Sequence, residues 1–168
     1  MRVIGIDPGT RHLGWGVLDR TGTRVEHIAH GVIDTDVRGT IAERLCEIDE
    51  ALRIIVEQYA PDVAAVEGLF FHKDPMSAAK LGHARGVILL RMARANMPIH
   101  EYPPALVKRT VVGRGAADKR QVAMVVTGVL RLAAPPSSDA ADAQAIALTH
   151  LSAASYHAAL AASRPGRG

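Results

Sequence analysis

The order of secondary-structure patterns along the chain most constrains its fold. Three strand patterns come first, separated by the turn signals Pro8-Gly9 and Thr21-Gly22-Thr23. Helical spacing of apolar residues then alternates with short apolar strand patterns. The predicted strands are residues 2–7, 13–19, 24–33, 63–67 and 99–102. The predicted helices are residues 40–59, 75–95, 104–111 and 119–130, and a last helix that Ser137 or Ser138 caps and that stays periodic through Leu151.

This order predicts an α/β fold, with a mixed five-stranded sheet flanked by helices on both faces. Such an arrangement is ribonuclease H-like, and it does not by itself fix a function. The 168 residues favour one domain, which we expect over residues 1–162, with a flexible basic tail at 163–168.

The cellular setting is predicted from what the sequence lacks. Cys46 is the one cysteine, expected mid-helix on a packed face, and it has no partner for an internal disulfide. There is no signal peptide and no apolar run of 18 residues. These features favour a cytoplasmic protein without a membrane partner.

The charge of the chain is compatible with a polyanionic partner but does not establish one. Twenty Lys and Arg residues face 17 Asp and Glu residues, for a net charge of +3. Residues 108–120 are strongly basic, and an isolated run of this kind is more often a solvated face. Its charged residues are Lys108, Arg109, Arg114, Lys119 and Arg120 against Asp118.

Four acids stand at the ends of predicted elements. Asp7 closes the first strand and Glu67 closes the fourth, at positions where ligand sites of α/β sheets gather. Asp139 and Asp142 open the last helix three residues apart, and therefore on one face. Four carboxylates brought together repel one another unless a cation lies between them. Oxygen ligands favour Mg²⁺ or Mn²⁺ over Zn²⁺.

Each acid taken alone has a simpler structural explanation. Asp139 or Asp142 would complement the helix dipole, and Asp7 would be a turn residue. Glu67 is harder to explain in this way, because it ends a buried apolar strand where an unpaired charge is costly. Taken together, the four favour a metal site. Four of the eight histidines are expected to be surface or packing residues rather than ligands, namely His12, His72, His83 and His150.

Along nearly its whole length the chain resembles the RuvC-type Holliday junction resolvases, the crossover junction endodeoxyribonucleases. Five segments in order carry the resemblance: Gly5-Ile6-Asp7-Pro8-Gly9-Thr10 with Gly14-Trp15-Gly16, Glu67-Gly68-Leu69-Phe70-Phe71, Lys80-Leu81-Gly82-His83-Ala84-Arg85-Gly86, Val112-Gly113-Arg114-Gly115-Ala116-Ala117-Asp118-Lys119, and Asp139-Ala140-Ala141-Asp142-Ala143. Gly68 departs from the larger polar residue of many relatives. Some relatives have His at the position of Asp139.

The resemblance implies roles for these residues. Asp7, Glu67, Asp139 and Asp142 would be metal-binding catalytic acids, holding two Mg²⁺ or Mn²⁺ ions that support phosphodiester hydrolysis without a covalent nucleophile. The other implied roles concern DNA: Lys119 near the scissile phosphate, Lys108 as a second basic residue needed for activity, Arg114 and Arg120 on backbone phosphates, and Phe70 stacked on an unpaired base while Phe71 packs in the core.

The resemblance also implies an assembly and a substrate. A homodimer would place paired symmetric nicks in four-way junction DNA during recombination and repair, beside a branch-migration motor. The dimer contact would lie on the helix that carries Gly82 and Gly86, unless that helix packs its small residues on its own sheet. Two alternatives are a ribonuclease H-like nuclease that acts on RNA-containing substrates and a non-catalytic junction-binding module.

Overall fold

A five-stranded sheet forms the centre of the molecule in the computed structural model, which describes residues 1–68 and 75–162. Its strands are β1 (Arg2–Asp7), β2 (His12–Thr21), β3 (Arg24–Asp34), β4 (Val63–Glu67) and β5 (Ile99–Tyr102), in the order β3-β2-β1-β4-β5. The first three strands are antiparallel, and β4 and β5 extend the sheet in parallel from β1. The predicted mixed sheet is therefore present.

Helices cover both faces of this sheet. One face carries α1 (Ile41–Tyr59) and α2 (Pro75–Arg94), and the other carries α3 (Pro104–Val112), α4 (Lys119–Leu130) and α5 (Ser138–Ala162). Two apolar clusters separate the layers, because successive strand residues point to opposite faces. In β4, Ala64 and Val66 pack toward α1 and α2, whereas Val63 and Ala65 pack toward α5.

The backbone of α5 lies directly against the sheet at glycines of β1 and β2. A Cβ atom built on Gly14 would lie 2.0 Å from the carbonyl oxygen of Asp139, and one on Gly5 would lie 2.0 Å from that of Ala143. One on Gly16 would lie 2.5 Å from the Cγ of Gln144. These glycines leave no room for side chains, so the absence of Cβ atoms fixes where the first turns of α5 sit.

The expected packing of Cys46 needs correction, and the last helix extends past the part for which periodicity was predicted. Cys46 is exposed rather than packed, because the buried side of α1 is formed by Ile48, Leu52 and Ile55. The last helix continues beyond Leu151 to Ala162, through an alanine-rich stretch whose helix propensity is high. The tail at 163–168 lies outside the described residues. None of the helices within the described residues is both long and apolar enough to cross a membrane.

Candidate active site

Strand alternation directs two of the four acids to the same face of the sheet. Asp7 follows Val3 and Gly5 in the β1 series that points toward α5, and Glu67 follows Val63 and Ala65 in the corresponding β4 series. The two strands are parallel neighbours, with Ile6 opposite Val66. Both carboxylates consequently stand at the carboxyl edge of the sheet, beneath the start of α5.

The start of α5 brings Asp142 to these two carboxylates. The backbone of Asp139 lies close to Gly14, which places the first turn of α5 over β2. Asp142 lies one turn after the start of α5. Asp142 lines the same cavity as Asp7 and Glu67, so the three carboxylates are close neighbours.

Two lysines from α3 and α4 complete the site. Asp118 caps α4 by accepting a hydrogen bond from the Gln121 amide, so Lys119 is the first helical residue. Its Nζ atom lies 3.3 Å from Oδ2 of Asp142. Lys108 reaches the same place from α3. A cavity of about 180 Å³ is formed here by Asp7, Glu67, Pro104, Val107, Lys108, Lys119, Val122, Asp142 and Ile146.

The pKa values of the three carboxylates in this cavity are all raised above their ordinary values. Burial raises the pKa of Asp7 to about 8, helped by the charges of Glu67, Asp142 and Asp139. Burial likewise raises the pKa of Glu67, as does the charge of Asp142, against the opposing effect of Lys119. The pKa of Asp142 is raised by burial despite the neighbouring Lys119 ammonium. The site therefore has a deficit of positive charge.

Lys119 supplies part of the missing positive charge. Burial alone lowers the pKa of its ammonium group, but the carboxylates of Asp142, Asp7 and Asp139 outweigh that effect and raise the pKa overall. Its side chain remains 65% exposed, whereas that of Asp142 is 21% exposed. A charged amine at the rim of the cavity is thus available to a polyanion approaching from solvent.

We expect this electrostatic arrangement to give the metal-free protein an unusual dependence on pH. Asp7 has an ordinary pKa of 3.8 and a folded-state pKa of about 8, so between these values the folded state holds a proton that the unfolded chain has released. Because the unfolded state binds fewer protons, this group makes stability fall as pH rises through that window.

The check is thermal unfolding of the wild type and of Asp7→Asn in a chelator across this pH range. The variant lacks the titrating group, so its stability relative to the wild type is expected to increase as pH rises. The difference between the two curves separates Asp7 from other titrating groups, such as His150, whose pKa is lowered to about 4 by burial. A difference that does not change with pH would contradict the raised pKa of Asp7.

The remaining predicted site residues lie elsewhere. Asp139 influences the acids electrostatically but does not line the cavity. Arg114 and Arg120 are exposed and do not line it either. Phe70 and Phe71 fall in segment 69–74, outside the described residues. Among the side chains that the structure describes, no three His, Cys, Asp or Glu form a ready-made metal-binding group.

Cavity size alone would assign the active site to a larger groove elsewhere on the surface. An open groove of about 1300 Å³ lies between β3 and the connection from α4 to α5, and none of the predicted site residues lines it. It contains the His27–His30 pair, whose ring nitrogens Nε2 and Nδ1 lie 2.7 Å apart. We assign the active site to the smaller cavity because the acids and lysines converge there.

One residue that contacts the site was not predicted from the sequence to have a role there. Arg85 is only 5% exposed on the inner side of α2, and its guanidinium donates to the backbone carbonyl of Glu67. A signal was present, because Arg85 occupies an apolar position of the helix, three residues before the buried Ile88.

Comparison with known proteins identifies the family. The model for "Crossover junction endodeoxyribonuclease RuvC" matches residues 3–150. A protein of that name from Sorangium cellulosum is 72% identical over 163 residues, covering 97% of this chain and 91% of the relative. The chain belongs to the RuvC family. The RuvC of Caulobacter vibrioides is 46% identical, with coverage of 89% and 88%.

A solved RuvC structure has the same fold. The structure described as T. thermophilus RuvC in complex with Holliday junction substrate superposes with a TM-score of 0.87 at 36% identity, covering 94% of this chain and 96% of that one. The RuvC match confirms the predicted ribonuclease H-like fold and the predicted membership of the crossover junction endodeoxyribonucleases. The roles of individual residues remain predictions.

Proposed function

We propose that this chain resolves four-way DNA junctions by metal-assisted hydrolysis of phosphodiester bonds, cutting two strands symmetrically. The observation that carries the proposal is the convergence of Asp7, Glu67 and Asp142 with two lysines on a RuvC fold. The T. thermophilus relative was solved with a Holliday junction, which supports the same substrate class here.

The donor chemistry of the cavity fits Mg²⁺ or Mn²⁺. Its ligands would all be carboxylate oxygens, and the raised pKa values of Asp7, Glu67 and Asp142 reflect a shortage of positive charge that a divalent cation would remove. When bound, such ions supply an activated water and charge stabilisation at the phosphate. Small side-chain rotations, together with a movement of Asp139 from the first turn of α5, would complete the set of ligands for two ions.

The protein's own cations would act on the DNA. Lys119 and Lys108 would stabilise the negative charge that develops on the phosphate during hydrolysis, as fixed cations do in a partly buried site. Arg114 and Arg120 are exposed on and beside α4, where they would bind backbone phosphates without reading sequence. Junction affinity should therefore fall steeply with salt.

A homodimer would supply the second active site, with α2 at its interface. Gly82 and Gly86 lie on the exposed side of α2, and a Cβ atom built on either would meet nothing within 4 Å. Gly82 and Gly86 therefore do not pack on the sheet of their own chain, and the side of α2 that does so carries Ala84, Ile88 and Met92. Leu90, 50% exposed, extends this face. A branch-migration motor would act beside the dimer in the cytoplasm.

The test is cleavage of a synthetic four-way junction in Mg²⁺ or Mn²⁺. Linear duplex, an RNA–DNA hybrid and the Asp142→Asn protein serve as controls. We expect symmetric nicks confined to the junction. Preferential cutting of the hybrid would indicate a ribonuclease that acts on RNA-containing substrates, and binding without nicks would indicate a non-catalytic module.

A cruciform in a supercoiled plasmid tests the dimer in the same experiment. Two nicks made in one binding event linearise the plasmid, whereas a single nick relaxes it and removes the cruciform. We expect linear product. Nicked circles alone would contradict two coordinated sites.

A further inference from the structure

The backbone carbonyl of Glu67 lacks its expected partner in the sheet. The amides of Ala64 and Gly68 donate to the carbonyls of Pro98, just before β5, and of Tyr102 in β5, at 2.9 Å and 2.8 Å. The carbonyl of Glu67 lies between these two positions in the alternation and therefore faces β1. Continuing the register of Ile6 with Val66 places residue 8 as the donor to this carbonyl. Residue 8 is proline, which has no amide hydrogen.

The guanidinium of Arg85 takes the place of that missing donor. It contacts the Glu67 carbonyl with Nη1, and its Nη2 lies 2.8 Å from Oε2 of Glu101 on β5. Arg85 comes from α2, on the face of the sheet opposite to α5. It therefore contacts the end of β4 from the α2 face of the sheet, while the carboxylate of Glu67 points into the catalytic cavity on the α5 face.

We propose that Arg85, held by Glu101, is a positioning residue that fixes the end of β4 and thereby aims the Glu67 carboxylate into the active site. The proposal rests on the proposed nuclease function. A planar guanidinium serves two acceptors at once, which the single ammonium of lysine does not reproduce with the same geometry. A buried arginine also has few alternative partners, so its position is well defined.

The test compares Arg85→Lys with Arg91→Lys on the same helix. Arg91 also forms a partly buried ion pair, with Nε 2.7 Å from Oδ1 of Asp49, but this pair joins α2 to α1 away from the acids. We expect Arg85→Lys to lower the single-turnover cleavage rate by about 10- to 100-fold, the usual cost of losing an outer support of a metal site. Junction affinity should be unchanged.

The second measurement is the affinity for Mn²⁺, monitored by the electron paramagnetic resonance signal of the free ion. A purely structural role of Arg85 would leave this affinity unchanged. We expect weaker Mn²⁺ binding by Arg85→Lys and wild-type binding by Arg91→Lys. Glu101→Gln keeps the contact with Glu67 but loosens Arg85, so a smaller loss in the same direction is expected. It also provides the test if Arg85→Lys does not fold, because Glu101 is half exposed.

The two possible failures are distinguishable. If folded Arg85→Lys matches Arg91→Lys in cleavage rate and Mn²⁺ affinity, or if Glu101→Gln behaves as wild type in both measurements, the positioning role is wrong. If the wild type and Arg91→Lys do not nick junctions at all, the proposed function itself fails.

Discussion

Cleavage of a four-way junction by Asp142→Asn is expected to fall by more than about 100-fold, since even outer supports of metal sites cost up to that much. Asp142 joins the cavity from α5 and contacts Lys119, so its loss removes a charged oxygen donor and releases the amine. Junction binding should survive, because a negative charge facing the phosphates has been removed. Asp7→Asn should behave in the same way.

Asp118→Asn is the matched control for this substitution. It makes the same isosteric change of charge one residue before Lys119, and asparagine caps a helix about as well as aspartate. Because Asp118 does not line the cavity, its variant should cut at the wild-type rate. Substantial residual cleavage by both Asp7→Asn and Asp142→Asn would remove the carboxylate mechanism.

Gly14→Ala should impair the site without altering any residue that lines it. The new Cβ atom would lie 2.0 Å from the carbonyl oxygen of Asp139, so the first turn of α5 must move away from the sheet. Overpacking of this kind costs about 1–3 kcal/mol of stability. The displacement of Asp142 is expected to lower cleavage by about 100-fold, as misplacement by about 1 Å does in other active sites.

Two glycine variants calibrate this result, with cleavage rate and thermal unfolding measured for each. Gly128→Ala lies in the interior of α4, where nothing is within 4 Å of the new atom, so it should cut normally and be more stable by about 0.5–1 kcal/mol. A Cβ atom on Gly16 would lie 2.5 Å from the Cγ of Gln144, while the backbone atoms of Gln144 are 3.4 Å away, so Gly16→Ala is expected to cause a milder loss. Normal cleavage by Gly14→Ala would show that the close approach of α5 does not position the acids.

Patterns within single elements predicted most of the fold and the principal acids. The apolar run of β4 and its termination at Glu67 are local features, and so is the placement of Asp139 and Asp142 at the start of the last helix. The resemblance to the resolvase family predicted that these acids share one site. The basic run at 108–120 was assigned to DNA by the resemblance, and of its five basic residues Lys108 and Lys119 line the cavity whereas the three arginines do not.

Contacts between residues that are far apart in the chain could not be predicted from the sequence. The contact of Gly14 with Asp139 joins residues far apart in the chain, and nothing near Gly14 indicates which helix covers it. Arg85 was visible only as a cation at an apolar position, because its role follows from the missing amide hydrogen of Pro8 across the sheet. Cys46 was predicted to be packed but is exposed, because the apolar pattern of α1 did not decide on which side of the helix Cys46 lies.

The position of α5 has a consequence for how the protein is made. Asp7 and Glu67 belong to strands synthesised early, whereas Asp142 arrives with the last helix. Domains emerge from the ribosome beginning at the N-terminus, so an incomplete chain carries the first two acids without the third. Such a chain also leaves the glycine-lined surface of β1 and β2 uncovered. We therefore expect nuclease activity to appear only after α5 has docked, so that partly synthesised molecules leave DNA intact.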